Sequence, residues 1–539
     1  MSTGVADGTY PQAARSCRVV ALIESRFGLG MVMKSLVSRL LVSAFGIAAG
    51  GMHLAAQGAS PAAPNTPISL DPANPHYFLY GGKTIALITS GEHYGAVMNP
   101  GMDYKKYLAT LAADGLNYTR LFGGSYVEVP GKSFGIKRND LAPEPGKFIA
   151  PWARSGTAGY AGGGNKFDLE QWNPEYFARL HDFLADAERR GIVVEISLFS
   201  AQYGEPQWAL SPFNAANNVN NTPLDDWKKL ETIENGRILN YQERYTRKLV
   251  HEVADYSNVI FELQNEPWSD RPKLVDEINP YLFTGRDQYP NSVEVPDALS
   301  IAWQGKVAAW IADEEKGLGH KHLIAQNYTN FRLPVSELLP RVSVVNFHYA
   351  YPEAVTWNYG LGKAIGYDET GFLSGGDAAY RRQAWNFMLS GGSTFDSLDY
   401  SFTPGHETGD DTEPNGPGGG SPALRKQLGV LAEFLRHLPL QEMRPDERVV
   451  IHAGSVPRAL SDGKATWAIY LDTGALGGSA DGGEVALDLP VGAFDGIWTD
   501  VTTGHSLKRE TFTHRGSEKR LQIPANPGGV ALLLRRNVE

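Results

Sequence analysis

Between Thr84 and Leu438 short apolar stretches alternate with helical ones, and this alternation restricts the possible folds more than any other feature of the chain. "TIALIT" (from Thr84), "NYTRLF", "IVVEISLFS", "NVIFELQNEP", "HLIAQNYT", "VSVVNFHYAYP", "AIGYDETGF" and "STFDSLDYSF" read as eight strands. Helical patterns lie between most of them. In "DYKKYLATLAADG", Tyr104, Tyr107, Leu108 and Leu111 share one face, and Gly115 is a natural stop. Repeated strand–helix alternation implies a parallel sheet, and eight units imply a closed (β/α)8 barrel. A doubly wound open sheet is the rival, but no glycine-rich phosphate loop follows the first strand.

After Glu442 the texture changes to short alternating strands separated by turn residues, such as "KATWAIYLD" and "FDGIWTDVTTG". This predicts a small antiparallel β-sandwich. The expected layout is a barrel over 70–441 and a sandwich over 442–539. Ahead of them, 33–59 has the basic, apolar and small-residue order of a secretory signal peptide, with Lys34 and Arg39 leading. Residues 60–69 read as a linker, and 1–32 as sequence from an upstream start. The expected location is therefore secreted or periplasmic, without stable membrane insertion after cleavage. A formal net charge of −11 and the lack of a Lys/Arg-rich run argue against nucleic acid as a partner. A single cysteine, Cys17, excludes an intrachain disulfide and Cys-rich zinc sites.

In such a barrel the active site lies where strands end. The strand ends here carry Glu92-His93-Tyr94, Arg120, Asn265-Glu266, Asn327-Tyr328, His348-Tyr349, Asp368-Glu369 and Asp399-Tyr400. Polar groups from seven strands are expected to converge on one cleft. Glu266, closing strand 4, and Glu369, closing strand 7, face each other across a barrel. Such a carboxyl pair is what glycoside hydrolysis needs: one acid protonates the leaving oxygen and the other, about 5 Å away, attacks the anomeric carbon. Arg120 is placed to hold Glu369 ionised, and Asn265 to meet the sugar 2-hydroxyl. Trp268, Trp357, Tyr94, Tyr351 and Phe402 are candidates for stacking on sugar rings. Asp368 adjoins Glu369, but strand neighbours point to opposite faces, so Glu369 is taken as the cleft residue. Glu92 is read as a ligand for a sugar hydroxyl, and His93 and His348 as hydrogen-bonding residues. No His-Glu-x-x-His spacing occurs, so neither a metal nor another cofactor is expected. The acidic run Asp410–Gly420 is read as a mobile loop.

Strand 4 ending in Asn265-Glu266-Pro267 and strand 7 ending in Glu369, with "RLF" on strand 2 and "NFHYAYP" on strand 6, resemble clan A of the retaining (β/α)8 glycoside hydrolases, particularly family 5-like cellulases and mannanases. The similarity spans residues 70–440. It implies that Glu266 is the acid/base and Glu369 the nucleophile, and that the substrate is a carbohydrate. The chain departs from the family in two places. Family 5 usually has His-x-Tyr on strand 6, whereas here His348 is followed by Tyr349, Ala350 and Tyr351. A tryptophan usual on strand 8 is missing from "FDSLDYSFTPGHE". Both differences touch the subsite of the reacting sugar. Two other readings stay open: a carbohydrate-binding protein on a non-catalytic barrel, and a metal-dependent barrel hydrolase.

Overall fold

The computed structural model describes residues 66–276, 292–319, 321–373, 376–413, 415–416, 419–453, 456–473 and 482–537. The expected signal peptide, most of the linker and Cys17 lie outside them. Eight strands, β1 (Leu87–Gly91), β2 (Tyr118–Phe122), β3 (Val193–Ser197), β4 (Val259–Glu262), β5 (Leu323–Asn330), β6 (Val344–His348), β7 (Ala364–Glu369) and β8 (Thr394–Leu398), form one sheet. Their order is β1-β8-β7-β6-β5-β4-β3-β2, and every neighbouring pair is parallel. Asn117 closes the seam between β1 and β2. Its main-chain N–H donates to Ile88 O (3.2 Å), its side chain accepts from Ile88 N (2.9 Å), and its amide donates to Ala86 O (2.9 Å).

Helices α1 (Tyr104–Ala113), α2 (Pro174–Arg189), α3 (Ile238–Glu252), α4 (Ala298–Glu314), α5 (Asp377–Met388) and α6 (Pro422–Arg436) surround the sheet. Four of the six starts carry explicit caps. Asp103, Asn173, Asp297 and Ser421 each accept a first-turn N–H, and proline opens α2 and α6. Among the described residues, no helix of comparable length separates β5, β6 and β7; only the short turns Glu353–Thr356 (α-helical) and Tyr359–Leu361 (3-10) lie there.

The run read as strand 1 is two elements. Lys83–Ile85 pairs back on Phe78–Tyr80, and the barrel strand begins at Leu87, opposite Thr394. The hairpin plugs the N-terminal end of the barrel. Ile68 and Phe78 pack there on Leu87, Tyr118, Val193, Ile260, Leu323, Val344 and Ala364.

Beyond residue 442 two antiparallel sheets of six and three strands form the sandwich. Trp467, Phe494, Trp498 and Leu532 fill its core. It is joined to the barrel's outer helices. Tyr470 stacks on Trp385 of α5 with centroids 5.4 Å apart, and Arg381 donates to Gly528 O (3.2 Å). Among the described residues, no helix is long and apolar enough to cross a membrane.

Candidate active site

The backbone is strained where the strands end. Tyr94 (φ 66°), Tyr203 (61°), Glu266 (46°), Phe331 (67°), Tyr349 (50°) and Phe372 (62°) adopt left-handed conformations just beyond β1, β3, β4, β5, β6 and β7. Such backbone is costly for side chains of this size and collects at functional sites. At Glu266 the turn is held by Asn327, whose Oδ1 accepts the Glu266 N–H (3.0 Å), and by Ser269 N–H, which donates to Glu266 O (2.9 Å).

These turns bring the two glutamates together. One oxygen of each carboxylate and a ring nitrogen of His348 lie within 4.8 Å of one another. The surroundings of the two acids differ. Glu369 accepts hydrogen bonds from Tyr94 Oη (3.3 Å), Tyr349 Oη (3.1 Å) and Arg120 Nη1 (3.3 Å). Glu266 is met by Ser269 Oγ (3.3 Å) and His348 Nδ1 (3.0 Å), with no guanidinium beside it. The missing His-x-Tyr spacing is thereby explained: the left-handed turn at Tyr349 brings the residue next to His348 onto Glu369.

Arg120 is fully buried and is the hub of the site. Its Nη2 donates to both oxygens of Glu262 (2.7 and 2.9 Å) and to Asn265 Oδ1 (2.9 Å), and the guanidinium lies 4.6 Å from the centre of the Tyr94 ring. Asn265 in turn donates to Tyr203 Oη (2.7 Å). Burial alone would lower the His348 imidazole, but the carboxylates of Glu369 and Asp368 outweigh it and hold His348 well above its ordinary value, as a cation. Burial likewise opposes ionisation of Asp368, and Arg120 and His348 overcome it, keeping that carboxyl well below its usual range.

Several expectations need correction. Strand alternation does not turn Asp368 away from Glu369, because a β-bulge intervenes. Phe347 pairs with Tyr367 and His348 with Glu369, so Asp368 is skipped. Both acids face inward; Asp368 is sealed beneath, accepting from Asn327 Nδ2 (2.9 Å), and Glu369 retains exposure. Glu92 is 1 % exposed and does not reach the cleft. It accepts from Gly95 N–H (2.9 Å), and burial beside Asp140 raises its carboxyl well above the usual range. Trp268, 1 % exposed, presents its edge to His348 and has no free face for a sugar. Tyr94 and Phe402 are buried too. Asp399 is tied to Arg425 (2.7 Å) and Ser90 (3.1 Å). His93 stays partly exposed, with Nε2 3.2 Å from Glu128. Tyr203, Phe134, Tyr349 and Phe372 are half-buried aromatics at the rim; the stacking candidates Tyr351 and Trp357 are half-buried too, with the Arg332 guanidinium 4.6 and 5.8 Å from their ring centres.

Glu262 and Glu195 were not singled out from the sequence, yet with Asp368 they form a second buried acidic cluster below Glu266 and Glu369. Tyr118 Oη (3.0 Å) and Asn346 Nδ2 (2.7 Å) donate to Glu195. The signal was present: Arg120, Glu195, Glu262 and Asp396 each interrupt an otherwise apolar strand.

A family model described as a domain of unknown function (DUF6298) matches residues 135–261, less than half of the chain. No curated protein matches the sequence. Solved structures share the fold. One from Bacteroides vulgatus, provisionally assigned as a glycoside hydrolase, superposes with a TM-score of 0.60 at 12 % identity, over 89 % of this chain and 84 % of that one. A second, described as a glycoside hydrolase, gives 0.57 at 12 % identity over 88 % and 98 %. A family 5 glycoside hydrolase from Bacteroides vulgatus gives 0.54 at 10 % identity over 87 % and 94 %. At these identities the likeness establishes the fold: a (β/α)8 barrel followed by an antiparallel β domain.

Proposed function

We propose that the protein is an exported glycoside hydrolase that cleaves β-linked carbohydrate with net retention, using Glu369 as nucleophile and Glu266 as acid/base. The observation that carries this reading is the approach of the two carboxylates to within 4.8 Å at the ends of β7 and β4, in unlike surroundings. That separation leaves no room for a water between carboxylate and sugar, as inversion would require, and fits direct attack.

In the first step Glu369 attacks the anomeric carbon. The glycosidic bond breaks as Glu266 gives its proton to the departing oxygen. In the second step Glu266 takes a proton from water, whose oxygen displaces Glu369 and restores the original configuration. Arg120, Tyr94 and Tyr349 donate hydrogen bonds to Glu369 and hold it in position. In this reading the Asn265 amide, held between Arg120 and Tyr203, meets the sugar 2-hydroxyl. Neutralising Glu266 by substitution separates the roles. Glu266→Ala should still be glycosylated by a substrate with a good leaving group, and deglycosylation should slow by about 10²–10⁴-fold. Azide should then restore turnover and yield a glycosyl azide of retained configuration. Azide acting on Glu369→Ala should give the inverted product. An inverted first product from the unaltered enzyme would sink the mechanism.

One observation favours a second reading, a metal-dependent hydrolase: Glu266, His348 and Glu369 have the donor types and spacing of a divalent-ion site. The hydrogen bond between His348 Nδ1 and Glu266 satisfies the same atoms without an ion. Exhaustive chelation should leave glycosidase activity intact. A loss restored by a divalent ion would favour the metal reading.

A further inference from the structure

The segment after β2, residues 123–142, arches over one side of the rim and is fastened along its length. Glu128 N–H donates to Leu141 O (2.9 Å), and Asn99 Nδ2 donates to Asp140 O (2.9 Å). Gly95 lies so close beneath that a Cβ there would sit 2.3 Å from the Asp140 carbonyl. On one flank, Phe134 meets the Tyr203 ring edge-on at 5.1 Å, tying the segment to the loop after β3. On the other it is joined to the loop after β8. Lys137 N–H donates to Asn415 O (2.7 Å), Asn415 Nδ2 donates to Arg138 O (2.7 Å), and Arg138 Nε donates to Asp411 (2.8 Å). Gly416 rests on the Tyr400 ring; a Cβ there would lie 2.6 Å from it.

This wall stands beside one half of the catalytic centre. Tyr94 and Arg120, from the β1 and β2 side, and Tyr349, beyond β6, flank Glu369, and His93 lies between Tyr94 (centroids 5.7 Å apart) and Tyr400 (6.2 Å). Glu266 has its partners, Ser269 and His348, on the β4–β6 side. On the glycosidase reading, the oxygen that Glu266 protonates departs on the β4–β6 side, and the ring that stays on Glu369 lies on the side of the wall.

We propose that the wall makes the enzyme exo-acting, with a pocket for a single sugar ring at the non-reducing end of the chain. The inference rests on the glycosidase reading above, and labelling separates the two. The probes are 2,4-dinitrophenyl 2-deoxy-2-fluoro-β-glycosides of glucose, mannose, galactose and xylose, together with their β-1,4-linked disaccharide counterparts. In each, the Glu369 carboxylate displaces dinitrophenolate and forms a glycosyl ester that intact-protein mass spectrometry reads. At least one monosaccharide probe should label Glu369, and its disaccharide counterpart should react about 100-fold more slowly. Equal or faster labelling by a disaccharide would overturn exo-action and leave the glycosidase reading standing. Labelling of Glu369 by none of the probes would overturn both. Opening the wall with Arg138→Ala and Asn415→Ala together should raise the disaccharide rate by about tenfold and keep the monosaccharide rate within about threefold. A folded double variant with no gain toward disaccharides would show that this wall does not set the limit.

Discussion

The two ends of the eight barrel strands are built from opposite materials. At the N-terminal end, Phe78 and Ile68 close over Leu87, Val193, Ile260, Val344 and Ala364, an apolar plug in which the Tyr118 hydroxyl is tied to Glu195 (3.0 Å). At the C-terminal end the same strands carry Arg120, Glu262, His348, Asp368 and Glu369 in continuous contact, all buried, with strained backbone immediately beyond. Burying apolar surface stabilises the fold directly. Burying this many charges is tolerable only because each is paired, and that arrangement gains orientation more than stability. The floor is thus expected to hold the molecule together, and the rim to do its chemistry at some cost in stability.

The largest test of that division removes the proposed nucleophile. Glu369→Gln should lower turnover by more than about 10⁴-fold, because no glycosyl-enzyme can form. Its unfolding midpoint should stay within about 2 °C of the parent, since one acid is replaced by a neutral isostere of the same shape. A large loss of stability would mean that the rim holds the fold together too.

Arg120→Met should break both properties at once. It strips Glu262, Asp368 and Glu369 of their shared cation inside the barrel, which is expected to cost about 3–5 kcal/mol as well as nearly all activity. Denaturant unfolding followed by fluorescence reads the first and hydrolysis the second. If stability were unchanged, the interior carboxyls would have to be neutralised by another route.

At the floor, Ile260→Ala should cost about 2–5 kcal/mol, the range for a large-to-small change in a packed core. Activity per folded molecule should be unaltered, because Ile260 packs with the plug and Glu262, two residues on, with Arg120. A change in kcat at a temperature where the variant is fully folded would show the two ends to be mechanically coupled.

The sequence exposed this division unevenly. Helices α1, α2 and α6 were legible because caps, prolines and apolar periodicity agree on them. Glu266 and Glu369 were legible because an acid closing an apolar strand stands out. The split between Ile85 and Leu87 was not, since a hairpin strand and a barrel strand with similar residues read as one run. Asp368 was misplaced because alternation holds only without a bulge, and nothing in "GYDET" announces one. Glu92 and Trp268 were read as cleft residues from their position alone. Which way a residue turns after a strand ends depends on the loop's tertiary packing, here Gly95 against Asp140 and Trp268 against His348.

The smallest expected effect, on stability against pH, sharpens the comparison because the titrating groups lie at the rim and in the barrel interior, away from the plug. Burial raises the carboxyl of Asp270, just beyond Glu266, to about 7, although it accepts hydrogen bonds from Gln202 and Tyr203 N–H. Burial also raises Glu195 and Asp396 inside the barrel and Glu92 beside it. An acid whose folded value lies above its unfolded one keeps its proton in the fold while the unfolded chain releases it. Stability therefore falls as pH climbs from about 4 to the folded value. His348 acts in the same direction: its stabilisation is complete below the unfolded value and is lost as pH rises through the raised folded one. Asp368 opposes them only in acid, where it loses stability as pH falls through its lowered value. The unfolding midpoint should therefore be highest near about pH 5 and fall by about 5 °C toward pH 8 at constant ionic strength. Asp270→Asn should flatten that slope, since it fixes a neutral group where the folded protein holds a proton. A midpoint that rises from pH 5 to pH 8 would mean that the rim acids are ionised in the fold, and that its charges stabilise the barrel after all.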